Sequence, residues 1–254
     1  MKYSFTFFVL SLCFYASAQV DILDELTKDQ KPKREYVAYT FKTTRVINGH
    51  SIETVKKNQI DFRVSHRFGD MAATSNDHIH SLLGFDQASD IAIIVEYGAT
   101  DDLTVGVGRM KGAGPLRELW NANVKYRVLK QTKDFKYPMT ITLFGNTAIS
   151  SMKSANDATS INYFPKGYPG FAHRLSYTLQ ALLAVKATDW LSVQLSPTFV
   201  WRNNVPYNDK NGMFFMGISA RAKFNKRTAI IFEYFLPFMK PGVGGREYFP
   251  MVRG

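Results

Sequence analysis

The stretch RLSYTLQALLAVKATDWLSVQLSPTFVW, residues 174–201, decides the architecture. Leu175, Tyr177, Leu179, Ala181, Leu183 and Val185 alternate with Arg174, Ser176, Thr178 and Gln180. Beyond the ATDW step (187–190), Leu191, Val193, Leu195 and Phe199 alternate with Ser192, Gln194, Ser196 and Thr198. A period of two means a strand with one apolar and one polar face, because successive side chains point to opposite sides. The step between the two runs is short, so they read as an antiparallel hairpin.

The same alternation recurs on both sides of this hairpin. Upstream, Ile60, Phe62, Val64, His66 and Phe68 oppose Gln59, Asp61, Arg63, Ser65 and Arg67. Further runs lie at 91–97, 103–108, 121–128 and 140–146, and downstream at 214–224 and 230–234. These segments read as strands, and no helical stretch of comparable strength separates them, which argues against βαβ units.

Period two alone fits a soluble sandwich, a lipocalin-like barrel or a membrane barrel. Three features favour the last. The runs are close to the roughly 9–11 residues that a tilted strand needs to cross the hydrocarbon layer. Connections alternate in length: short at 99–102, 130–138, 187–190 and 225–227, longer at 69–89, 111–118, 150–172 and 202–212. Membrane barrels have short periplasmic turns and long outer loops. Aromatic residues also gather near the ends of apolar faces, at Phe68, Tyr97, Tyr126, Trp190, Phe199, Trp201, Phe224 and Tyr234, as rings at the headgroup level would.

Composition conceals this. The chain of 254 residues is 45% hydrophobic and 21% charged with net charge +11, and its mean hydropathy is −0.18. These values exclude disordered, collagen-like and disulfide-rich classes. No run after the N-terminus reaches the roughly 18 apolar residues of a membrane-spanning helix. An average near zero is what results when lipid-facing residues alternate with polar neighbours.

Residues 1–18 (MKYSFTFFVLSLCFYASA) carry Lys2, an apolar run from Phe5 to Tyr15 and Ala16-Ser17-Ala18, the pattern of a cleaved secretory signal peptide. Leu12 before Cys13 is not the small residue that lipid attachment needs, and cleavage removes the only cysteine. Residues 19–35 read as a periplasmic leader, and 36–254 as the barrel domain with strands from about residue 59. Counting strands outward from 59–68 calls for a return strand after 228–236. The expected fold is therefore an all-β, antiparallel up-and-down transmembrane barrel of about ten strands (10–12). The Pro/Gly-rich end of the chain reads as an outer loop, so we expect the closing C-terminal strand or strands to be missing, or residues 36–45 to supply the closure. Residues 36–55, before the first spanning strand, are an extra hairpin around Asn48-Gly49 or a plug.

Three stretches, TFKTTRVINGHSIET (40–54), HRFGD (66–70) and YGATDDLTVGVGR (97–109), together resemble a family of predicted membrane-bound β-barrels of unknown function exported by Gram-negative bacteria. The resemblance spans most of residues 36–238. The turn motif is common to many outer-membrane barrels, and the TFK…INGHS…HRFG combination is the more specific part. The resemblance implies an outer-membrane barrel that continues to a strand ending in an aromatic residue. It implies no activity and no catalytic residues.

Candidate chemistry is sparse. Asp77, His78 and His80 lie in a polar stretch without a further ligand pair, so no metal site or cofactor is expected. Ser65 and His66 are adjacent on a strand, point to opposite faces and cannot form a dyad, so the chain is not expected to be an enzyme. The polar faces carry Asp61, Arg63, Glu96, Lys125, Arg127, Gln180, Gln194, Arg221 and Glu233 as candidate lumen-lining residues. They would either line a water-filled lumen favouring a small anionic solute or pair across a narrow interior; with about ten strands the narrow interior favours pairing. Loop 150–172 holds Tyr163, Phe164 and Tyr168, which could bind an outside ligand or pack within the loop. Expected partners are outer-membrane lipid and the chaperone and barrel-assembly machinery; without a basic helix or RNA motif, nucleic acid is not expected. The functional expectation is a non-enzymatic narrow channel or membrane scaffold in the outer membrane. The alternatives are a surface binding module using loop 150–172 and a soluble lipocalin-like carrier with its apolar face inward.

Overall fold

Every one of the alternating runs forms a strand in the computed structural model, which describes residues 34–68, 85–86, 90–112, 117–156, 163–164, 166–205 and 210–238. The strands are β1 (Ile60–Arg67), β2 (Asp90–Gly98), β3 (Leu103–Lys111), β4 (Glu118–Leu129), β5 (Thr140–Ser150), β6 (Leu175–Lys186), β7 (Leu191–Arg202), β8 (Gly212–Lys223) and β9 (Ala229–Pro237). They form one sheet in sequence order, each antiparallel to the next. Among the described residues β1 and β9 share no ladder. The tenth strand expected after 228–236, the signal peptide (1–18), most of the leader and the Asp77–His80 cluster lie outside the described residues.

Three of the short turns close by one chemistry. In β2–β3 the amides of Ala99 and Thr100 donate to Leu103 O, and Thr100 Oγ1 accepts from Asp102 N and Leu103 N. The β6–β7 turn repeats this with Ala187 and Thr188 donating to Leu191 O, and Leu191 N donating to Thr188 Oγ1. In β8–β9, Phe224 and Asn225 donate to Thr228 O while Asn225 Oδ1 accepts from Arg227 N and Thr228 N. A side-chain oxygen at the second turn residue thus satisfies amides that the ladder leaves open.

The two faces are inverted relative to a soluble protein. Phe62, Val64, Val95, Val107, Val124, Leu143, Leu179, Leu195 and Phe232 are exposed. On the opposite face Glu96, Thr104, Lys125, Thr142, Gln194, Ser196 and Ser219 are buried. Soluble monomers rarely expose a continuous apolar surface beyond a few hundred Å². A soluble carrier needs its apolar face inward, so that alternative fails on the direction of the faces. The exposed rings Tyr97, Tyr126, Trp190 and Phe224 mark the short-turn end, and Phe68, Trp120 and Trp201 the long-loop end. Tyr234 departs from the expected belt: it pairs with Ile218 in mid-sheet, because β9 continues to Pro237.

What the inner face covers is residues 37–57. This segment forms no strand and joins no sheet edge, so residues 36–45 do not supply a closing strand. Phe41, Val46 and Ile52 from it cluster with Phe144 of β5 and with Leu182 and Ala184 of β6, where Leu182 is 0% exposed. The edge strands both reach it: Arg63 of β1 bonds Thr44, and Glu233 of β9 bonds Asn48 and Gly49. A sheet whose two edges hold the same short segment is curled around it.

Candidate functional site

Residues 37–57 first fold on themselves. Val46 N donates to Gly49 O and Ser51 N to Thr44 O, closing a tight loop bridged at Arg45 and His50. The Glu53 carboxylate accepts from Thr40 N at 2.9 Å and Phe41 N at 3.1 Å, tying the outgoing and returning arms together. Asn48-Gly49 does turn the chain, as expected, but neither residue has a positive φ. The glycine is needed for closeness instead: a Cβ there would sit 2.6 Å from Glu233 Oε1 and 2.9 Å from the Phe235 ring.

Strands around the sheet then satisfy the segment's backbone. Lys125, 1% exposed, donates from Nζ to Thr44 O (3.0 Å), Ser51 O (3.1 Å) and Glu53 O (3.0 Å). Gln194 donates to His50 O at 2.8 Å and accepts from Ile52 N at 3.0 Å. Thr142 Oγ1 donates to Ile52 O, and Val55 N donates to Thr104 Oγ1. Asn48 N and Gly49 N donate to Glu233 at 2.7 and 3.0 Å. Arg45 pairs with Glu96 at 3.1 Å. Buried polar groups must be bonded or they cost free energy, and here the polar face and the irregular segment satisfy one another. Val37 N donates to Gln131 O in the β4–β5 turn, and Thr54 and Lys57 bond Asp101 in the β2–β3 turn, so the segment enters from the short-turn end and returns there.

The residues expected on the polar face divide into groups. Glu96, Lys125, Gln194 and Glu233 hold the segment directly. Arg63 pairs with Asp61 at 2.7 Å and reaches Thr44 Oγ1 at 2.8 Å. Arg127 belongs to the short-turn rim, bonded to Asp102 Oδ1 and Asp101 O, and also pairs with Glu53 of the segment at 4.0 Å. Gln180 bonds its neighbour Thr198 on β7, at 2.8 Å. Arg221 lines a cavity between residues 41–46 and the β8–β9 turn. From sequence, Arg45, Glu53, Thr104 and Thr142 have no site role, and His50 reads only as part of the Asn48-Gly49 turn. Three of them lie in the 40–54 stretch that carried the most specific resemblance, which was the available signal.

The loop aromatics pack within their own loop. Phe164 and Tyr168 stand 4.7 Å apart between ring centres, and the Arg174 guanidinium lies 3.9 Å above Tyr168. Ser154 bonds both the amide and the carbonyl of Phe164, and Tyr163 bridges Ala155. Ser65 pairs with Ala92 and His66 with Ile91, on opposite faces, so no dyad forms.

His50 is buried against Phe144, 3.7 Å between ring centres, and its Nε2 meets the Arg45 guanidinium. Burial, and then the positive charges of Lys125, Arg45 and Arg63, holds its pKa well below the usual imidazole value. A proton on Nε2 would also displace the Arg45 donor. An unseated segment would titrate near the ordinary value of about 6.5. Because the seated value is lower, the unseated form takes up its proton first as pH falls. Seating is therefore unaffected above about pH 6.5 and weakens as pH drops below it. A nitroxide attached at Ile47→Cys, an exposed position, should gain mobility on acidification from neutral to about pH 5. The change should vanish when His50→Gln is added; equal pH dependence in both would contradict it.

Gly98 tests the returning arm. A Cβ there would overlap the carbonyl oxygen of Lys56 and stand 2.6 Å from that of Val55, and backbone cannot give way cheaply. Gly98→Ala should cost about 1–3 kcal/mol in detergent unfolding experiments. In Gly145→Ala the nearest atom is 3.6 Å away, and the change should stay within about 0.5 kcal/mol.

A family model described as "Membrane bound beta barrel domain (DUF5777)" matches residues 41–250. It takes in β1 to β9 and the segment from Phe41 onward. No curated protein and no solved structure matches the chain.

Proposed function

Because the chain belongs to the family of membrane bound beta barrel domains (DUF5777), we propose that it is a non-enzymatic outer-membrane barrel whose interior is occluded by its own residues 37–57. On this reading it serves as a membrane scaffold at rest, not as an open, porin-like narrow channel. The observation that carries the reading is the seated segment itself: Lys125, Gln194, Thr142, Thr104 and Glu233 bond its backbone from five different strands.

Placement in the outer membrane of a Gram-negative bacterium is supported by the signal-peptide pattern of residues 1–18 and the alternation of short turns with long loops. With short turns in the periplasm, the segment meets the periplasmic end of the barrel through its bonds to the β2–β3 turn. Outer-membrane lipid covers the apolar face. Before insertion that face is bare, which calls for periplasmic chaperones and the barrel-assembly machinery.

Planar-bilayer recording tests the reading. Wild-type protein should give no steady conductance step, whereas a variant lacking residues 40–54 should give steps or a raised leak. Regular steps from wild type would overturn the proposal.

A further inference from the structure

We propose that the cavity between residues 41–46 and the β8–β9 turn is a binding site for a small oxyanion of the phosphate class. The cavity has a volume of about 270 Å³, and Lys42, Arg45, Arg221, Lys226 and Arg227 line it without a carboxylate. Two acids of the inner face are already engaged. Glu96 pairs with Arg45, and Glu233 accepts the amides of Asn48 and Gly49. Arg221 is half-buried on β8, and among the described residues no acid pairs with it, nor with Lys42, Lys226 or Arg227.

A partly desolvated guanidinium without an anion is unfavourable, and like charges gathered around one cavity add repulsion. A multiply charged oxyanion relieves both. Guanidinium forks match phosphate oxygens bidentately, and the neighbouring ammonium groups supply point charge. Phe41, Val46 and Ile231 form an apolar part of the wall, suited to the organic portion of a phosphate ester. Lys42 belongs to the segment and Arg221 to the sheet, so a ligand held by both would fasten the segment in place. The site rests on the seated segment but not on whether the barrel conducts.

Titration calorimetry on the full chain in phospholipid-free non-ionic detergent, with inorganic pyrophosphate as probe, tests this. One saturable site is expected, weakening with added salt. Arg221→Gln and Lys42→Gln should each weaken it by about tenfold or more. Lys111→Gln, at the far end of β3, should leave it unchanged. Heat-modifiable migration checks that each variant is folded, and the exposed Lys42 keeps the test open if Arg221→Gln misfolds. Displacement of pyrophosphate by a short-chain phosphatidic acid assigns the site to a lipid headgroup; failure to displace it assigns the site to a soluble phosphate compound. No saturable binding by wild type, or equal binding by the variants, would overturn the proposal. Protection of amides 40–55 from hydrogen exchange, measured in the same sample, separates that failure from loss of the seated segment.

Discussion

Lys125→Met should release residues 40–54 from the inner face while leaving the strands paired. The ammonium donates to three carbonyls of the segment, at Thr44, Ser51 and Glu53, and almost no solvent reaches it. Methionine has a similar length and fills much of the same space, so the loss is one of hydrogen bonding. Two buried carbonyls and the part-buried one of Thr44 would lose a charged donor, and each such loss costs about 1–3 kcal/mol. Partial relaxation and water entry reduce the sum to about 3–5 kcal/mol. That exceeds what the remaining bonds from Gln194, Thr142 and Glu233 are expected to recover, because these groups hold other points of the loop. Trypsin should then cut after Lys42 and Arg45 at least tenfold faster than in wild type, while heat-modifiable migration persists. Unchanged cleavage would mean that Lys125 is not what seats the segment.

Val107→Arg separates the two environments that an exposed valine could face. Val107 is 59% exposed, in the middle of β3, between Val95 and Ala122. On a water-facing surface such a substitution changes stability by no more than about 0.5 kcal/mol. Facing the bilayer interior, an arginine costs about 2–4 kcal/mol at mid-depth. Thr104→Ser, on the inner face of the same strand, keeps the hydroxyl that accepts from Val55 N and should be nearly neutral. Reversible unfolding from phospholipid vesicles reads both. A neutral Val107→Arg would contradict the lipid-facing assignment.

The strands were legible in the sequence because lipid on one side and a polar interior on the other impose a strict period of two. Their ends were less so. β5 runs to Ser150 although the alternation is plain only to Asn146, and β4 begins at Glu118, ahead of Asn121. Ladder hydrogen bonds extend pairing past the residues whose faces matter. The alternation leaves Phe144, Leu182 and Ala184 unassigned, and the structure places these apolar residues on the otherwise largely polar inner face. They follow the segment, not the membrane: Phe41, Val46 and Ile52 need an apolar surface to pack on. The segment itself was open between a hairpin and a plug because it has no period. Its order comes from single contacts distant in sequence, such as Glu233 with Gly49 and Gln194 with Ile52, and no local pattern announces those.

The cationic cavity was partly legible. The surplus of lysine and arginine pointed to anions, and Arg221 was on the polar face by alternation. What the sequence did not reveal is which arginines already have partners. Arg45, Arg63 and Arg127 are paired with Glu96, Asp61 and Asp102, whereas no acid among the described residues pairs with Arg221. Pairing depends on where residues 37–57 lie, so it could only be read once that segment was in place.

Hydrogen exchange of the folded protein in detergent micelles is the most direct measurement. The amides of Thr40, Phe41, Gly49, Ile52 and Val55 each donate to a side chain of Glu53, Glu233, Gln194 or Thr104. They should exchange as slowly as the amides of β4 and β5, hours behind the exposed turns. Exchange of these five at the rate of an unfolded peptide, with the strands still protected, would contradict a barrel occluded by its own N-terminal segment.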